Sequence, residues 1–203
     1  ASALHAECRG FESLTAQTMS RLPAFTPMTG HRLTLRPFEE DELPKVWEVL
    51  QRRASGPGPV GRRVEERLRH RIQRSGHFTR GMLDLAVEAQ GRLIGDVQAR
   101  QPPGAMPRGV FELGIEIYDP ADHGKGYGSE AVGLLTDWLF EQAAAERVQA
   151  GTSLTNASMR TVLERLGFVF EGVMRGFMAA GSGRDDYALY GVTKPEWAAR
   201  RRP

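Results

Sequence analysis

Apolar side chains recur along this chain with two spacings, and each spacing predicts one kind of secondary structure. Short, mostly alternating runs predict seven β-strands, because neighbouring side chains of a strand face opposite sides of a sheet. Apolar residues three or four positions apart predict four helices, whose apolar stripes would cover that sheet. The predicted strands are 33–36, 82–89, 92–100, 110–118, 147–152, 169–180 and 187–193. The predicted helices are 39–51, 63–74, a long helix that follows the glycines at 124–128 and ends near 146, and 156–166.

Turn residues separate these elements, and the order of the elements predicts the fold class. Gln90-Gly91 lies between two predicted strands and Gly181-Ser-Gly183 between two others, so each pair is predicted to form a hairpin. Residues 55–61 and 101–109 are rich in glycine and proline and are predicted to be loops. Because the strands are not in strict alternation with helices, the order favours a mixed α+β domain built on one sheet.

Length and composition are those of a globular protein. The 203 residues suffice for one domain with a substantial core and are marginal for two. No apolar run approaches the ~18 residues that a membrane helix needs, and residues 1–30 lack the continuous apolar segment of a secretory signal. Cys8 is the only cysteine, so we expect no intramolecular disulfide, no metal site and a cytoplasmic setting.

Charge is spread unevenly along the chain. The formal net charge is only +2, but residues 52–80, the arginine-rich segment, carry nine arginines against two glutamates and so stand at +7. Two interpretations are open. A helix with Val64, Leu68 and Ile72 on its apolar side would present a solvated basic face, or the segment would bind an anionic partner such as nucleic acid.

The region 117–131 contains the most informative pattern in the sequence. A predicted strand runs into glycines at alternate positions and then into a helix; the glycines are Gly124, Gly126 and Gly128. Such a turn can aim backbone N–H groups at one point beside the positive end of the helix dipole, which suits a phosphate. The nucleotide P-loop does not match, since glycine follows Lys125, and the dinucleotide fingerprint would need glycine in place of Ser129. An ordinary glycine-rich turn is the alternative.

Several segments along the chain together carry a family resemblance. They are RLTLRP at 32–37, RLIGDV at 92–97, FELGIEIYDP at 111–120, NASMRTVLERLGF at 156–168 and GRDDYALY at 183–190. With them the sequence resembles the GNAT superfamily of N-acetyltransferases, and within it the RimJ/RimL-like branch. The glycine turn fits that family's (Q/R)-x-x-G-x-(G/A) pattern, with His123 departing at the first position. The resemblance covers about 31–197, which leaves 1–30 as an N-terminal arm and 198–203 as a basic tail.

The resemblance implies a fold and a cofactor. The fold is the GNAT fold, an α+β domain with one central, mostly antiparallel, splayed sheet flanked by helices. The cofactor is acetyl-CoA or another acyl-CoA, with its pyrophosphate in the glycine turn and its pantetheine arm along a splayed strand and beside an asparagine. The matching residues are His123, Gly124, Lys125, Gly126, Tyr127, Gly128 and Ser129 in the turn, Ile115, Glu116 and Ile117 in the strand, and Asn156.

Two residues match positions at which relatives carry acid–base groups. Glu112 stands at the spacing of a general-base glutamate, with Glu116 in reserve on the same face of the strand. Ser158 matches a hydroxyl near the thioester sulfur and would protonate the leaving thiolate. The alternatives are that Glu112 is a half-buried residue paired with an arginine, that Ser158 is a surface serine, and that Asn156 only caps a helix.

The resemblance thus implies an acyltransferase that moves an acetyl group to a primary amine in a ternary complex, without a covalent enzyme intermediate. The acceptor would be a protein N-terminus or a small molecule, and the branch suggests a homodimer; we expect neither membrane nor nucleic acid as a partner. As a basic rim of the acceptor cleft, the arginine-rich segment would favour an acidic acceptor or the CoA 3′-phosphate and disfavour a polycation such as an aminoglycoside. The alternative is a non-catalytic acyl-CoA-binding or nucleic-acid-associated regulatory protein that uses this segment.

Overall fold

The computed structural model describes residues 22–53 and 61–201, apart from the side chains of Arg53 and Arg62. The strands are β1 Met28–Thr29, β2 Thr34–Arg36, β3 Met82–Ala89, β4 Arg92–Arg100, β5 Val110–Ile117, β6 Arg147–Ser153, β7 Val169–Ala180 and β8 Gly183–Thr193. The helices are α1 Leu43–Arg53, α2 Arg62–Gln73, α3 Tyr127–Gln142, α4 Ala157–Arg165 and α5 Lys194–Arg200. Two single 3-10 turns lie at Glu40–Glu42 and Pro120–Asp122.

All eight strands of the described residues form one sheet in the order β1-β2-β3-β4-β5-β6-β8-β7. Neighbouring strands are antiparallel except β5 and β6, which are parallel. The parallel pair exists because α3 connects the two strands as a crossover, whereas hairpins join most of the others. The predicted α+β class with a mostly antiparallel sheet is confirmed.

The sheet opens between its two parallel strands. β5 pairs with β6 from Val110 to Leu113, opposite Arg147 to Ala150, and the pairing ends there. Beyond that point β5 continues beside β4 as far as Ile117, while β6 continues beside β8 as far as Ser153. The two strands therefore diverge toward their carboxyl ends, and each presents an edge to the opening that no other strand of the described sheet pairs with.

Helices cover both faces of the sheet and bury one core on each. α3 and α4 lie on the first face, where Leu135, Leu139 and Leu163 are fully buried against apolar strand residues. α1 and α2 lie on the second face, where Val46 and Leu68 contribute to a smaller core. The main hydrophobic core lies on the first face, whereas on the second face β4 and β5 carry polar side chains.

Boundary differences concentrate at the termini and at helix ends. The strand predicted at 187–193 begins at Gly183, and the helix predicted to end near 146 ends at Gln142, just before Ala144 adopts φ 52°. β1 and α5 had no sequence prediction. Part of the predicted arm belongs to the fold, since Phe25 packs 5.2 Å from the Trp138 ring. Residues 1–21 and 54–60 lie outside the described residues, and α5 runs past the predicted domain end to Arg200.

Among the described residues, no helix is both long and apolar enough to cross a membrane. These residues also contain no group of three or more histidine, cysteine, aspartate or glutamate residues arranged to hold a metal ion.

Candidate functional site

The glycine turn brings the start of α3 to the carboxyl end of β5. The 3-10 turn after β5 is capped by Asp119, whose side chain accepts a hydrogen bond from Ala121 N at 2.9 Å. Gly124 and Gly126 then adopt φ of 73° and 85°, a left-handed backbone that L-residues other than glycine adopt at a cost. Gly126 is the N-cap of α3 and supplies no side-chain cap. The first-turn N–H groups of α3 are therefore available to an anion.

A second helix begins at the same edge of the opening. α4 follows β6 as α3 follows β5, and the carboxyl ends of parallel strands lie at one edge of a sheet. Asn156 caps α4, since its Oδ1 accepts a hydrogen bond from Met159 N at 3.1 Å. The amide NH₂ of Asn156 plays no part in that bond. Two positive helix ends thus flank the opening between β5 and β6.

The side chains of the turn are held by local contacts. Lys125 Nζ donates to Asp122 Oδ1 at 2.9 Å, and this bond lowers the pKa of the Asp122 carboxyl. His123, which departs from the family pattern, folds back so that its Nε2 donates to the carbonyl oxygen of Ile117 at 3.1 Å. The imidazole therefore fastens the turn to the end of β5 in this structure. The backbone of the turn, rather than the His123 side chain, forms the cradle.

Arg32 is a residue of this region to which the sequence assigned no role. Its Nη1 donates to the carbonyl oxygen of Lys125 at 2.7 Å, and its backbone N donates to Glu130 Oε1 at 2.9 Å. A Cβ at Gly126 would overlap the Arg32 guanidinium, so glycine there also makes room for this contact. The only signal in the sequence is that Arg32 opens the first family motif, about 90 residues before the turn.

A groove of about 680 Å³ runs along the outer side of α3 from Arg32 to the end of α4. Gly126, Ser129 and Gly133 line it, and its charged lining residues are Arg32, Glu130, Asp137 and Arg165. The groove thus adjoins the turn and carries charges of both signs.

Glu112 lies at the last paired part of β5, on the second face of the sheet. Its Oε1 accepts a hydrogen bond from Arg100 Nη2 at 2.6 Å, and Arg100 lies directly opposite on β4. The side chain of Glu112 is 29% exposed. The arginine-paired alternative is thus what the structure shows for Glu112, and the carboxylate also borders the opening. Glu116 lies further along the same face, opposite Asp96.

A buried polar network lies on the same face of the sheet as these carboxylates, around Asp96. Arg71 of α2 donates to Asp84 at 2.6 Å and to Asp96 at 2.8 Å, and the Tyr118 hydroxyl donates to the second oxygen of Asp96 at 2.8 Å. Burial raises the pKa of Asp84 despite the neighbouring guanidinium. Burial, followed by the charge of Asp96, raises the pKa of Tyr118. One arginine of the arginine-rich segment therefore points inward and anchors α2 to the sheet, whereas Arg63, Arg67 and Arg69 are exposed.

Ser158 lies in the first turn of α4 and is exposed. It stands beside Asn156 at the open end of the sheet, on the first face, whereas Glu112 lies on the second face at the point where the opening begins. The two predicted acid–base residues thus lie on opposite faces of the sheet, Glu112 near the end of the β5–β6 pairing and Ser158 in the first turn of α4.

This arrangement, with a glycine turn at a helix start beside a sheet that opens between parallel strands, can be compared with known proteins. Residues 32–169 match the family model described as "Acetyltransferase (GNAT) domain". The chain belongs to the GNAT acetyltransferase family. Its GNAT fold is confirmed as well, since solved acetyltransferases share it.

One curated relative of this GNAT domain is the "Probable N-acetyltransferase YjcK" of Bacillus subtilis (strain 168). It is 32% identical over 107 residues, which are 52% of this chain and 57% of that protein. The chain thus spans less than two thirds of the length of this relative.

Two solved structures illustrate the shared GNAT fold. The first is RimL, a ribosomal L7/L12 alpha-N-protein acetyltransferase in complex with coenzyme A, with a TM-score of 0.68 and 16% identity over 83% of this chain and 98% of that one. The second is a dodecameric spermidine N-acetyltransferase from Vibrio cholerae, with a TM-score of 0.69 and 20% identity over 84% and 99%. At these identities the likeness concerns the fold alone.

Proposed function

We propose that this protein is an acetyl-CoA-dependent N-acetyltransferase that acts on a primary amine by direct transfer in a ternary complex. The opening between β5 and β6 carries the proposal, because it begins after Leu113, next to Glu112, and leads to the starts of two helices. A long ligand with an anionic head and a peptide-like arm would satisfy both the free strand edges and the helix N–H groups. The GNAT family as a whole uses acetyl-CoA, which has this chemistry.

The residues present fit an acyl-CoA. Apart from chain neighbours and the helix backbone, no described atom lies within 4 Å of a Cβ built at Gly124, and Gly128 has only Ile115 Cδ1 at 3.9 Å. The turn is therefore open at these two positions, whereas the Arg32 guanidinium fills the space at Gly126. The backbone N–H groups of Gly124, Lys125, Gly126, Tyr127, Gly128 and Ser129 would hold the pyrophosphate. Ile115, Glu116 and Ile117 would pair with the pantetheine arm, and Asn156 would donate from its free amide. When bound, acetyl-CoA would supply the activated acyl thioester.

Glu112 would act as the general base of the reaction. The acceptor amine must be neutral to attack, and a carboxylate at the opening can take its proton directly or through one water. Arg100 Nη2 donates to Glu112 Oε1 at 2.6 Å and so fixes the position of the carboxylate. Glu116, which lies four residues further along β5 on the same face, is the reserve candidate.

Ser158 would return a proton to the departing thiolate. Its hydroxyl lies in the first turn of α4, where the positive helix end stabilises developing negative charge. Asn156 serves two purposes in this proposal, since its Oδ1 caps the helix while its NH₂ binds the cofactor. His123 is assigned a positioning role through Ile117 rather than a bond to phosphate.

The branch of the family and the class of acceptor rest on the sequence resemblance. The sequence motifs support the RimJ/RimL-like branch, with a protein N-terminus or a small amine as acceptor, and acetyltransferases for both kinds of acceptor share the fold. The branch also supports a homodimer, and the single cysteine supports a cytoplasmic setting.

An acceptor screen tests the proposal. Free thiol released from acetyl-CoA would be measured across peptides, amino acids, polyamines and aminoglycosides, with mass spectrometry of each product. We expect transfer to at least one amine, and intersecting initial-velocity lines, as a ternary complex requires. If no class of amine is acetylated although the protein binds CoA, the regulatory alternative is favoured.

Substitutions test the assigned residues. We expect Glu112→Gln, Asn156→Ala and Ser158→Ala each to lower kcat/KM at least about tenfold. Ser182→Ala, an exposed serine in the β7–β8 turn, is the matched control and should leave turnover unchanged. If neither Ser158→Ala nor Asn156→Ala lowers turnover tenfold, these two assignments are wrong.

A further inference from the structure

Two glycines lie opposite each other where β5 and β6 begin to diverge, and they mark the entrance to the opening from the second face of the sheet. We call this entrance the passage. Gly114 and Gly151 follow the last paired residues of β5 and β6, and the residues before them point into the first core. A Cβ at Gly114 would lie 3.8 Å from Arg100 Nη2 and 4.0 Å from Gln98 Oε1. A Cβ at Gly151 would lie 3.2 Å from Met174 Cε. The passage therefore has a polar wall on the β5 side and an apolar wall on the β6 side.

The apolar wall is built from the β7–β8 hairpin. Met174 and Tyr187 are register partners, and the Tyr187 ring lies 3.8 Å from the Gly151 Cβ position. Phe177 extends this wall, with its ring centroid 5.4 Å from that of Tyr187 at an interplanar angle of 47°. Phe177 is nevertheless 47% exposed, so the wall presents aromatic surface to the passage and to solvent.

A bulge in β7 places Phe177 on this wall. Met174 pairs with Tyr187 and Met178 with Asp185, so three residues of β7 stand opposite the single residue Asp186. In a regular strand, residue 177 would face the side opposite to residue 174, because side chains alternate. The bulge instead turns the Phe177 ring against Tyr187, on the side of Met174.

Specific hydrogen bonds hold the bulge. Gly176 N donates to Asp186 Oδ1 at 2.7 Å, and Arg184 Nη2 donates to the carbonyl oxygen of Phe177 at 2.8 Å. Arg184 Nε also bonds the carbonyl oxygen of Gly176. Bulges of this kind commonly re-aim a side chain next to a site. The aromatic wall is therefore preorganised rather than a loose surface patch.

We propose that Met174, Phe177 and Tyr187 select a primary amine whose nitrogen is attached close to an apolar, preferably aromatic, group. This inference rests on the proposed function and names its substrate class. The amine nitrogen would approach the Glu112 side of the passage while its apolar substituent covers the opposite wall. An arylalkylamine and the amino group of an aromatic N-terminal residue share this chemistry.

Polyamines and acidic acceptors are disfavoured by the same wall. A second ammonium or a carboxylate placed beside Met174, Phe177 and Tyr187 would give up water there, whereas an apolar group would gain contact area. The inference therefore departs from the acidic acceptor that the arginine-rich segment suggested. Charge at the rim steers approach, whereas the wall decides which substituent fits beside the reacting nitrogen.

The test compares kcat/KM for matched acceptors with acetyl-CoA. Phenethylamine and a phenylalanyl peptide would be set against n-propylamine, spermidine and an aspartyl peptide. We expect the aromatic amines to exceed the others by about tenfold or more, the discrimination that one well-placed apolar contact supplies. Comparison of phenethylamine with the phenylalanyl peptide shows whether the preferred acceptor is a free arylalkylamine or an aromatic N-terminal residue.

Variants tie the preference to the wall. Phe177→Ala should reduce the aromatic preference about tenfold through KM while n-propylamine is little affected. The matched control is Phe170→Ala, because Phe170 is 48% exposed on the same strand and packs on Tyr190, away from the passage. Circular dichroism and thermal unfolding check that both variants fold.

Each outcome decides a different question. Preferred turnover of spermidine or the aspartyl peptide, or a preference that survives Phe177→Ala, would overturn this inference and leave the proposed function standing. Absence of transfer to every acceptor would overturn the proposed function and this inference with it. Loss of the preference in Phe177→Ala but not in Phe170→Ala would support it.

Discussion

Replacing Gly126 with alanine tests the contact between Arg32 and the glycine turn. Gly126 has φ 85°, and a Cβ there would overlap the Arg32 guanidinium, which bonds the carbonyl oxygen of Lys125 at 2.7 Å. The substitution therefore imposes two separate costs. The backbone must hold an L-residue in the left-handed region, and Arg32 must leave its acceptor.

The magnitude follows from these two costs. The left-handed conformation costs about 1–2 kcal/mol for a residue with a Cβ, and loss of one hydrogen bond costs about 1 kcal/mol. Gly126→Ala should therefore lower the free energy of unfolding by about 2–3 kcal/mol and Tm by about 4–12 °C for a domain of this size. Gly124→Ala is the control in the same turn, since φ is 73° there but, apart from its chain neighbours, no described atom lies within 4 Å of its Cβ position. It should cost only the backbone part, about 1–2 kcal/mol.

Urea unfolding of a double-mutant cycle separates the two costs. The cycle comprises wild type, Gly126→Ala, Arg32→Ala and the double variant, with Gly124→Ala measured alongside. In the Arg32→Ala background, Gly126→Ala should cost no more than Gly124→Ala, which gives a coupling energy of about 1 kcal/mol. The reasoning is refuted if Gly126→Ala and Gly124→Ala are equally destabilising in the wild-type background, or if removal of Arg32 leaves the cost of Gly126→Ala unchanged.

Three further predictions concern stability and cofactor binding. Arg71→Met leaves two buried aspartates without their cation and should cost about 3–5 kcal/mol in urea unfolding, whereas Arg69→Met, which removes an exposed pair, should change stability by at most about 0.5 kcal/mol. The hydrogen bond from Arg147 lowers the pKa of Glu171 in the folded state, so the pair stabilises the fold above about pH 4.3 and loses this effect as the pH falls. Arg147→Met should therefore make Tm fall less steeply with decreasing pH in the acid range. An unchanged dependence of Tm on pH would contradict this. Asn156→Ala should remove both the α4 cap, at about 1 kcal/mol, and CoA affinity, whereas Asn156→Asp should keep the cap and lose only affinity in a calorimetric titration.

Much of the fold could be predicted because its signals are local. The strand from Met82 to Ala89 and the helix that ends before Gly167 follow from side-chain alternation, helical spacing and turn residues, all of which act within a few positions. β1 and α5 escaped prediction because they are short and depend on a partner strand or a capping box for their stability. The region of the candidate site was also predictable, since glycines at alternate positions before a helix imply a particular backbone.

The sequence by itself determined the α+β class, the glycine turn and the resemblance to one family. Only the tertiary structure decided where β5 and β6 part, that Arg71 points inward to two aspartates, and that Arg32 lies over the turn. It also decided that a bulge turns Phe177 toward Tyr187. The physical reason is that periodicity and turn chemistry are set by neighbours in the chain, whereas these contacts join residues whose proximity arises only from strand pairing and packing.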